Sequence, residues 1–367
     1  MNPVVKLNCV LAYLLMSDNA NLLDIAESSK VGRFIPYIVD ESAVTGYPCG
    51  MTYQPAPISH DPHTLPQLPG WVTSGRAKTP ETVAFRSGAA LTVLDQLIGD
   101  PKFGVPVRLL ANRLALSAAT ATSKLEGRLA READIRDAYH LTPPGEARGP
   151  DGDLLAFWRD TVRPRAGETD EIADLVGAEY AGEAGVGLDA GLERARTHGP
   201  LAGSGAVLRD VLHADDRAER VACLLSDIVL ARLLNWKTVL PISARRLTKA
   251  ALRNLTSNGQ GAELAVQVRI LESIEKTIRL ARGLACRAEA LRVVAPKLRA
   301  KGSEAAVDLF LTEDAVAPAS MLSPRIRGTN IPMSDRAARR FCDRLVELGV
   351  AQELTGRPTF RLYGIAS

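Results

Sequence analysis

Apolar residues recur at intervals of three and four positions over most of the chain after residue 70. This spacing places them on one face of an α-helix, and such faces are buried when helices pack together. Segments with this pattern begin near Thr79, Pro106, Arg131, Asp153, Asp216 and Glu263. Before residue 349 we find no convincing alternating pattern of the kind typical of strands. The sequence therefore predicts a mainly α fold with a helical bundle body over residues 71–295.

Two of these segments begin with residues that favour the start of a helix. Thr79 precedes a proline and a glutamate, which is a typical N-cap arrangement. Asp216 and Glu219 have the spacing of a variant capping box. In the helix after Thr79, the residues predicted to face the core are Phe85, Ala89, Val93 and Leu97. In the helix after Pro106, they are Leu109, Leu110, Leu114 and Ala118.

Two other parts of the chain have a weaker pattern. Prolines crowd the end of residues 1–70, and we interpret this stretch as a poorly organised N-terminal extension. Residues 166–205 are rich in glycine and acidic residues. They predict only weak helices, near residues 171–180 and 189–196.

The longest helical segment covers residues 263–295 and ends before Pro296. Its apolar stripe is narrow, and the second half of the stripe consists of small residues such as Ala281, Ala285 and Ala288. Small side chains allow a second helix to approach closely. That second helix belongs either to the same fold or to another copy of the chain, so a homodimer through this helix is one of two alternatives.

The pattern changes after Pro296. Short helices are predicted over residues 303–311, 317–321 and 334–348, with Ser334 as the N-cap of the last one. Extended runs follow at 350–354 and 359–363, around a glycine-containing turn. Three helices followed by a hairpin form the winged-helix arrangement. In that arrangement the third helix enters the major groove of DNA and the hairpin touches the backbone. We therefore predict a winged-helix-like domain over residues 296–367.

The third of these helices carries the candidate DNA-binding residues. Its predicted apolar face consists of Ala337, Phe341, Leu345 and Leu348. Guanidinium groups bind phosphate oxygens and guanine edges through paired hydrogen bonds. The arginines that we expect to contact DNA are Arg336, Arg339, Arg340 and Arg344 on the helix and Arg357 at the turn of the hairpin. Winged helices also dock other proteins, so a protein partner is the alternative.

The distribution of charge agrees with this hypothesis. The whole chain has a net charge of only +3, which is no evidence for a nucleic-acid partner. From residue 291 onward, however, 12 lysines and arginines stand against 8 aspartates and glutamates. A regional excess of positive charge favours an approach to phosphates.

Composition excludes several classes of protein. With 46% hydrophobic and 24% charged residues, the chain is neither mostly disordered nor collagen-like. Its 5 cysteines are odd in number and lack C-x-x-C spacing, which argues against a disulfide framework or a thiolate zinc site and favours the cytoplasm. No run of 18 apolar residues predicts a transmembrane helix.

Motifs of the common enzyme families are absent from the sequence. It has no phosphate-binding G-x-x-x-x-G-K-S/T loop, no G-x-G-x-x-G, no G-x-S-x-G and no H-E-x-x-H. We therefore predict no cofactor, no metal and no catalytic residue. The sequence favours a binding protein over an enzyme without deciding between them.

Several segments resemble a bacterial family catalogued as domain of unknown function 1403. They are Lys297–Gly302, Ser334–Arg340 and Glu353–Gly364, together with Ile135–Ala138, Gly149-Pro150 and Phe157–Arg159. The resemblance covers residues 71–365 and leaves the first seventy residues outside. It implies a family found mainly in rhizobia and their relatives, often on plasmids. The activity of that family is unknown, so the resemblance implies no catalytic residues.

A second resemblance concerns the Fic adenylyltransferases. Thr122–Gly127 is similar to their S/T-x-x-x-E-G inhibitory motif, and Arg217-Ala218-Glu219-Arg220 is similar to the end of their nucleotide motif. Aligned in this way, Arg209 stands where the catalytic histidine belongs, and the glycines of the anion-binding loop are missing. The resemblance therefore implies a degenerate Fic-like body without nucleotide transfer.

Three functional hypotheses follow from the sequence. The first is a DNA-binding regulatory or plasmid-associated protein that acts through the C-terminal module. The second is a docking scaffold that uses the same module to bind a protein and no nucleic acid. The third is a degenerate, inactive relative of the Fic enzymes.

Overall fold

The computed structural model describes residues 64–75, 77–163, 169–298 and 301–366. Almost all of the predicted N-terminal extension lies outside these described residues. Leu65, near the end of that extension, is buried in the core.

The described part of the body is built from helices, which confirms the predicted mainly α class. Most of their buried residues are apolar and belong to one hydrophobic core. The helices are α1 Gly70–Thr73, α2 Pro80–Gly99, α3 Val107–Leu125, α4 Glu132–Leu141, α5 Gly149–Thr161, α6 Thr169–Val176, α7 Ala178–His198, α8 Pro200–Ala214, α9 Glu219–Leu233, α10 Lys249–Thr256 and α11 Ala262–Val294.

Helix α2 begins where the sequence predicts but turns a different face to the core. The Thr79 hydroxyl accepts a hydrogen bond from the backbone N–H of Thr82, and Pro80 occupies the first helical position. The prediction that Phe85 faces the core is wrong, since Phe85 is 58% exposed and packs against Trp71 at the surface. Leu97 is buried as predicted, and Ala89 and Val93 are half-buried. The residues that complete the buried face belong to a second apolar row, which contains Val83, Leu91 and Leu94.

Helices α3 and α5 form much of the centre of the body. The predicted apolar residues of α3 are all buried, namely Leu109, Leu110, Leu114 and Ala118. On α5, the Trp158 side chain is fully buried and its indole N–H donates to the Thr122 hydroxyl on α3, at 3.0 Å. This hydrogen bond satisfies the one polar group of a large apolar side chain.

Helices α7 and α8 pack closely through glycine. A Cβ atom placed on Gly203 of α8 would lie 2.4 Å from the backbone oxygen of Gly191 on α7. The sequence predicted only a short, weak helix within α7 and no helix over α8. The buried face of α8 shows no apolar periodicity in the sequence, because glycine has no side chain and its backbone makes the contact with α7.

The start of α9 differs from the sequence prediction. The capping box of Asp216 and Glu219 is wrong, because the N-cap residue is Ala218 and no side chain caps the helix. Asp215 instead accepts a hydrogen bond from the backbone N–H of Arg217, which closes the turn before the helix. Glu219 lies in the first helical turn, is 3% exposed and pairs with Lys249 at 3.0 Å.

Helix α11 is the longest described helix and packs against α2 and α8 of the same chain. Its small residues Ala281, Ala285 and Ala288 are fully buried. Their burial within a single chain is the first of the two alternatives that the sequence left open. Among the described residues, no helix is both long and apolar enough to cross a bilayer.

The C-terminal part contains α12 Ser303–Phe310, a π-helical turn Pro318–Leu322, α13 Asp335–Glu347, β1 Ala351–Glu353 and β2 Tyr363–Ile365. Strands β1 and β2 are antiparallel, with Ala351 opposite Ile365. Val316 adds an antiparallel bridge to Tyr363 on the other side of β2. A segment between the first two helical elements thus joins the hairpin.

The second strand begins later than predicted. The sequence placed it at residues 359–363, whereas β2 covers Tyr363–Ile365. The Glu353 carboxylate accepts hydrogen bonds from the backbone N–H groups of Thr355 and Gly356, each at 2.8 Å. These bonds turn the chain directly after β1, so residues 355–362 form a longer loop than predicted.

Helix α13 is held by a cap and by one buried face. The Ser334 hydroxyl accepts from the backbone N–H of Ala337, as predicted. The predicted face needs a correction: Phe341 and Leu345 are buried, whereas Ala337 and Leu348 are only half-buried. Ala338 and Cys342 complete the buried face. Both residues are small. Because they are buried, the observed core-facing side of α13 is rotated slightly from the predicted one.

Candidate functional site

The arginines that the sequence singled out on α13 all lie at the surface. Arg336, Arg339, Arg340 and Arg344 are exposed. The opposite face of the helix is fixed by Phe341, whose ring lies 6.3 Å from that of Phe310. The orientation of the exposed arginines is therefore set by packing beneath them.

The four arginines differ in their ion pairs. Arg339 pairs with Asp335 at 2.8 Å, and Arg344 pairs with Glu347 at 2.9 Å, both within the helix. Arg336 and Arg340 make no ion pair with any described residue. The two unpaired side chains lie one helical turn apart, on one side of α13.

Arg357, in the loop of the hairpin, contacts the body. Its guanidinium pairs with the Asp137 carboxylate of α4 at 3.3 Å. Arg136, beside Asp137, donates to the backbone oxygen of Leu354 at 3.1 Å. The loop of the hairpin is thus attached to α4, although Arg357 itself remains more than half exposed.

Two further basic residues near α13 were not singled out from the sequence. Arg325 and Arg327 are exposed and make no ion pair with the described residues. The backbone N–H of Arg327 donates to Met321 of the π-helical turn, which packs against α13. The sequence shows that both arginines lie in a loop with proline and glycine. It does not show that this loop folds back towards α13, so their position near the helix could not be predicted.

A buried ionic cluster links the body to the segment just before Val316. Arg159 of α5 donates to both Glu313 and Asp314, and His140 of α4 lies 3.3 Å from Asp314. Burial alone would raise the pKa of Asp314, but His140 and Arg159 outweigh this effect and hold that pKa well below its usual range. Sequence spacing gives no sign of this contact, since His140 and Asp314 lie 174 positions apart.

The segments that resemble the Fic enzymes do meet in space. The Glu126 carboxylate accepts hydrogen bonds from Arg220 at 2.6 and 2.8 Å and from Arg128 at 3.1 Å. Arg209, at the position of the catalytic histidine, pairs with Glu263 and Asp210. The turn before α9 has Ala214 and Asp216 where the Fic motif has glycines, and such a turn does not attract phosphate.

Within the described residues, no group of three His, Cys, Asp or Glu side chains is arranged to hold a metal ion. Three described cysteines are free, and burial raises the pKa of two of them, Cys223 and Cys342, above the usual value. Such thiols are poor nucleophiles.

Comparisons with known proteins give the affiliation of the chain. No curated protein matches it, and no solved structure matches it. A family model described as "Protein of unknown function (DUF1403)" matches residues 56–365, starting before the expected Trp71. The match covers most of the chain, including α13 and the hairpin. The chain therefore belongs to this family of unknown function.

Proposed function

We propose that the chain binds double-stranded DNA through a winged-helix-like module formed by residues 296–367. The order of elements supports this proposal. Helix α12, the bridging residue Val316, the π-helical turn, α13 and the β1–β2 hairpin follow one another as in a winged helix. The second helical element is reduced to a single turn, and α13 takes the place of the helix that enters the major groove.

One observation carries the proposal. Arg336 and Arg340 are exposed, lie one turn apart and have no carboxylate partner among the described residues. An exposed cation gains little stability from its surroundings, so these two side chains contribute little to the fold. They are free to bind phosphate oxygens or base edges.

Neighbouring cations extend this surface. Arg325 and Arg327 add two unpaired charges beside the π-helical turn, while Arg339 and Arg344 are each balanced within the helix. Residues early in a recognition helix reach bases and later residues meet phosphates. Arg336, Arg339 and Arg340 therefore contribute to sequence preference, and Arg344 and Arg357 to general affinity.

The experiment that tests the proposal measures DNA affinity against salt concentration by fluorescence anisotropy. Each phosphate contact contributes about 0.9 to the slope of log affinity against log salt. The double variant Arg336→Gln/Arg340→Gln should lower the slope by about 1–2 and weaken binding. Arg340→Ala alone should cost about 1–3 kcal/mol at a cognate site if its contact is bidentate. Arg279→Gln, an exposed arginine on α11, is the matched control.

The strongest contrary result concerns all four arginines of α13. If replacing Arg336, Arg339, Arg340 and Arg344 together leaves DNA retention intact in a folded protein, the DNA-binding proposal fails. The module would then act in docking a protein, which is the alternative function of the same surface.

A second candidate rests on the ion pair between Glu126 and Arg220. It joins the two segments that resemble the Fic inhibitory motif and nucleotide motif, which lie 94 positions apart in the chain. This contact supports a Fic-like body, while the pairing of Arg209 with Glu263 supports its inactivity. Incubation with labelled ATP should show no transfer by the wild type or by Glu126→Gly. Transfer by either protein would overturn the inactive assignment.

A further inference from the structure

A cavity of about 310 Å³ opens at the start of α3, beside α4 and α5. Pockets for small molecules commonly have volumes from ~300 Å³ upward. Its walls combine apolar groups, from Val107 and Val162, with a larger number of polar side chains. None of these residues belongs to the DNA-binding surface described above.

Most of the polar groups that face this cavity are hydrogen-bond donors. Arg108 lines it and makes no ion pair with any described residue. Tyr139 and Thr238 also line it, and their hydroxyl groups have no hydrogen-bond partner within the described residues. Unused donors beside an open space are the expected lining of a site for an acceptor-rich ligand.

The charges around the cavity single out Arg108. Arg159 is already held by Glu313 and Asp314, and Arg163 pairs with Asp160 at 2.7 Å. Arg108 is the lining cation without a carboxylate among the described residues. It lies in the first turn of α3, whose N-cap Pro106 supplies no side-chain cap, so the positive end of the helix adds to its field.

We propose that this cavity binds a small organic oxyanion. Arg108 would hold its phosphate or carboxylate group, and the Tyr139 and Thr238 hydroxyls would donate to its other oxygens. Val107 and Val162 would contact its carbon skeleton. This site is independent of the proposed DNA-binding function, because it uses no residue of α13.

Isothermal titration calorimetry at constant ionic strength tests the site with three probes: inorganic phosphate, glycerol 3-phosphate and malate. At least one probe should bind the wild-type protein with one site per chain. Comparing the two phosphates with malate shows which oxyanion is preferred. Binding should weaken at least tenfold in Arg108→Gln and severalfold in Tyr139→Phe, which keeps the ring. Arg279→Gln should bind like the wild type.

Three outcomes would overturn the proposal. The first is that none of the probes binds. The second is that Arg108→Gln, shown by circular dichroism to be folded, binds as well as the wild type. The third is that binding is lost in Arg336→Gln/Arg340→Gln, because the anion would then lie on α13. Retained anion binding in that double variant, whatever its DNA affinity, separates this site from the DNA-binding proposal.

Discussion

Arg159 and Asp314 lie 155 positions apart in the sequence, and their side chains form an ion pair that is almost completely buried. Asp314 comes two residues before Val316, which bridges to β2. The pair therefore fixes the start of the small sheet against α5. A second contact with the body lies nearby, where the Asn112 side chain donates a hydrogen bond to the backbone oxygen of Thr312 at 2.7 Å.

Removal of Asp314 should strongly destabilise the protein. Asp314→Ala leaves Arg159 with one carboxylate and His140 without its partner, and breaking a buried ion pair costs about 3–5 kcal/mol. Urea denaturation followed by circular dichroism measures the loss. Asp134→Ala is the matched control, because its pair with Arg131 is exposed and should contribute less than about 1 kcal/mol. Equal losses in both variants would contradict the role given to burial.

Asp227 should make stability depend on pH near neutrality. Burial raises the pKa of this carboxyl to about 7, although Ser243 donates to it and Arg245 lies nearby. Between about pH 4 and 7, the folded protein keeps a proton that the unfolded chain has lost. The contribution of Asp227 to the free energy of unfolding therefore falls as pH rises through this range.

Asp227→Asn should remove that dependence, because the amide does not ionise. Denaturation at pH 5, 6, 7 and 8 should show a flatter profile for the variant. At pH 8 the variant should be the more stable protein, by up to roughly 4 kcal/mol. At pH 5, near the start of this range, the difference should be only about 1–2 kcal/mol. If the free energy of unfolding depends on pH in the same way in the variant and in the wild type, Asp227 does not titrate in this range.

Phe341 should contribute to the stability of the protein through its buried ring. Phe341→Ala removes a buried ring that packs against Phe310, and such a change costs about 3–5 kcal/mol. Thermal or urea denaturation measures this effect. Phe360→Ala is a suitable control, since Phe360 is 73% exposed in the loop of the hairpin. The control should change stability by less than about 0.5 kcal/mol.

Two glycines of α8 should respond to alanine in opposite directions. Gly203→Ala introduces a methyl group that meets the backbone of α7, so α7 and α8 must separate, at a cost of about 1–3 kcal/mol. Gly205→Ala meets nothing within 4 Å. It should stabilise the protein by about 0.5–1 kcal/mol through helix propensity. Equal effects of the two variants in denaturation would contradict the close approach of these helices.

The helices with a clear amphipathic pattern could be predicted from sequence because their burial repeats with the period of the helix. This holds for α3 and for the N-caps at Thr79 and Ser334, where the signal is local. Helix α8 could not be predicted, because its glycines and small residues become a buried face only when α7 is present. The exposed position of Phe85 likewise could not be predicted, because it depends on which of two apolar rows on α2 packs against the other helices.

The arginines of the candidate interface were singled out from sequence, but helical spacing does not decide which of them are paired. Arg339 pairs with Asp335 and Arg344 with Glu347, at spacings of four and three. Asp343 stands three residues after Arg340, yet it accepts a hydrogen bond from Tyr363 of β2, and Arg340 makes no ion pair with a described residue. The contact of Arg357 with Asp137 could not be predicted, since it joins a loop to a distant helix and sequence spacing carries no information on that distance.

The bridge between Val316 and Tyr363 has a consequence for synthesis of the chain. Strand β2 is translated after α12, α13 and β1, yet it lies between β1 and Val316. A nascent chain therefore carries the apolar sides of these elements uncovered until Tyr363–Ile365 has been added. A product truncated before Tyr363 would keep the arginines of α13 and lose the strand that closes the module. Such a product should be degraded more readily than the intact protein.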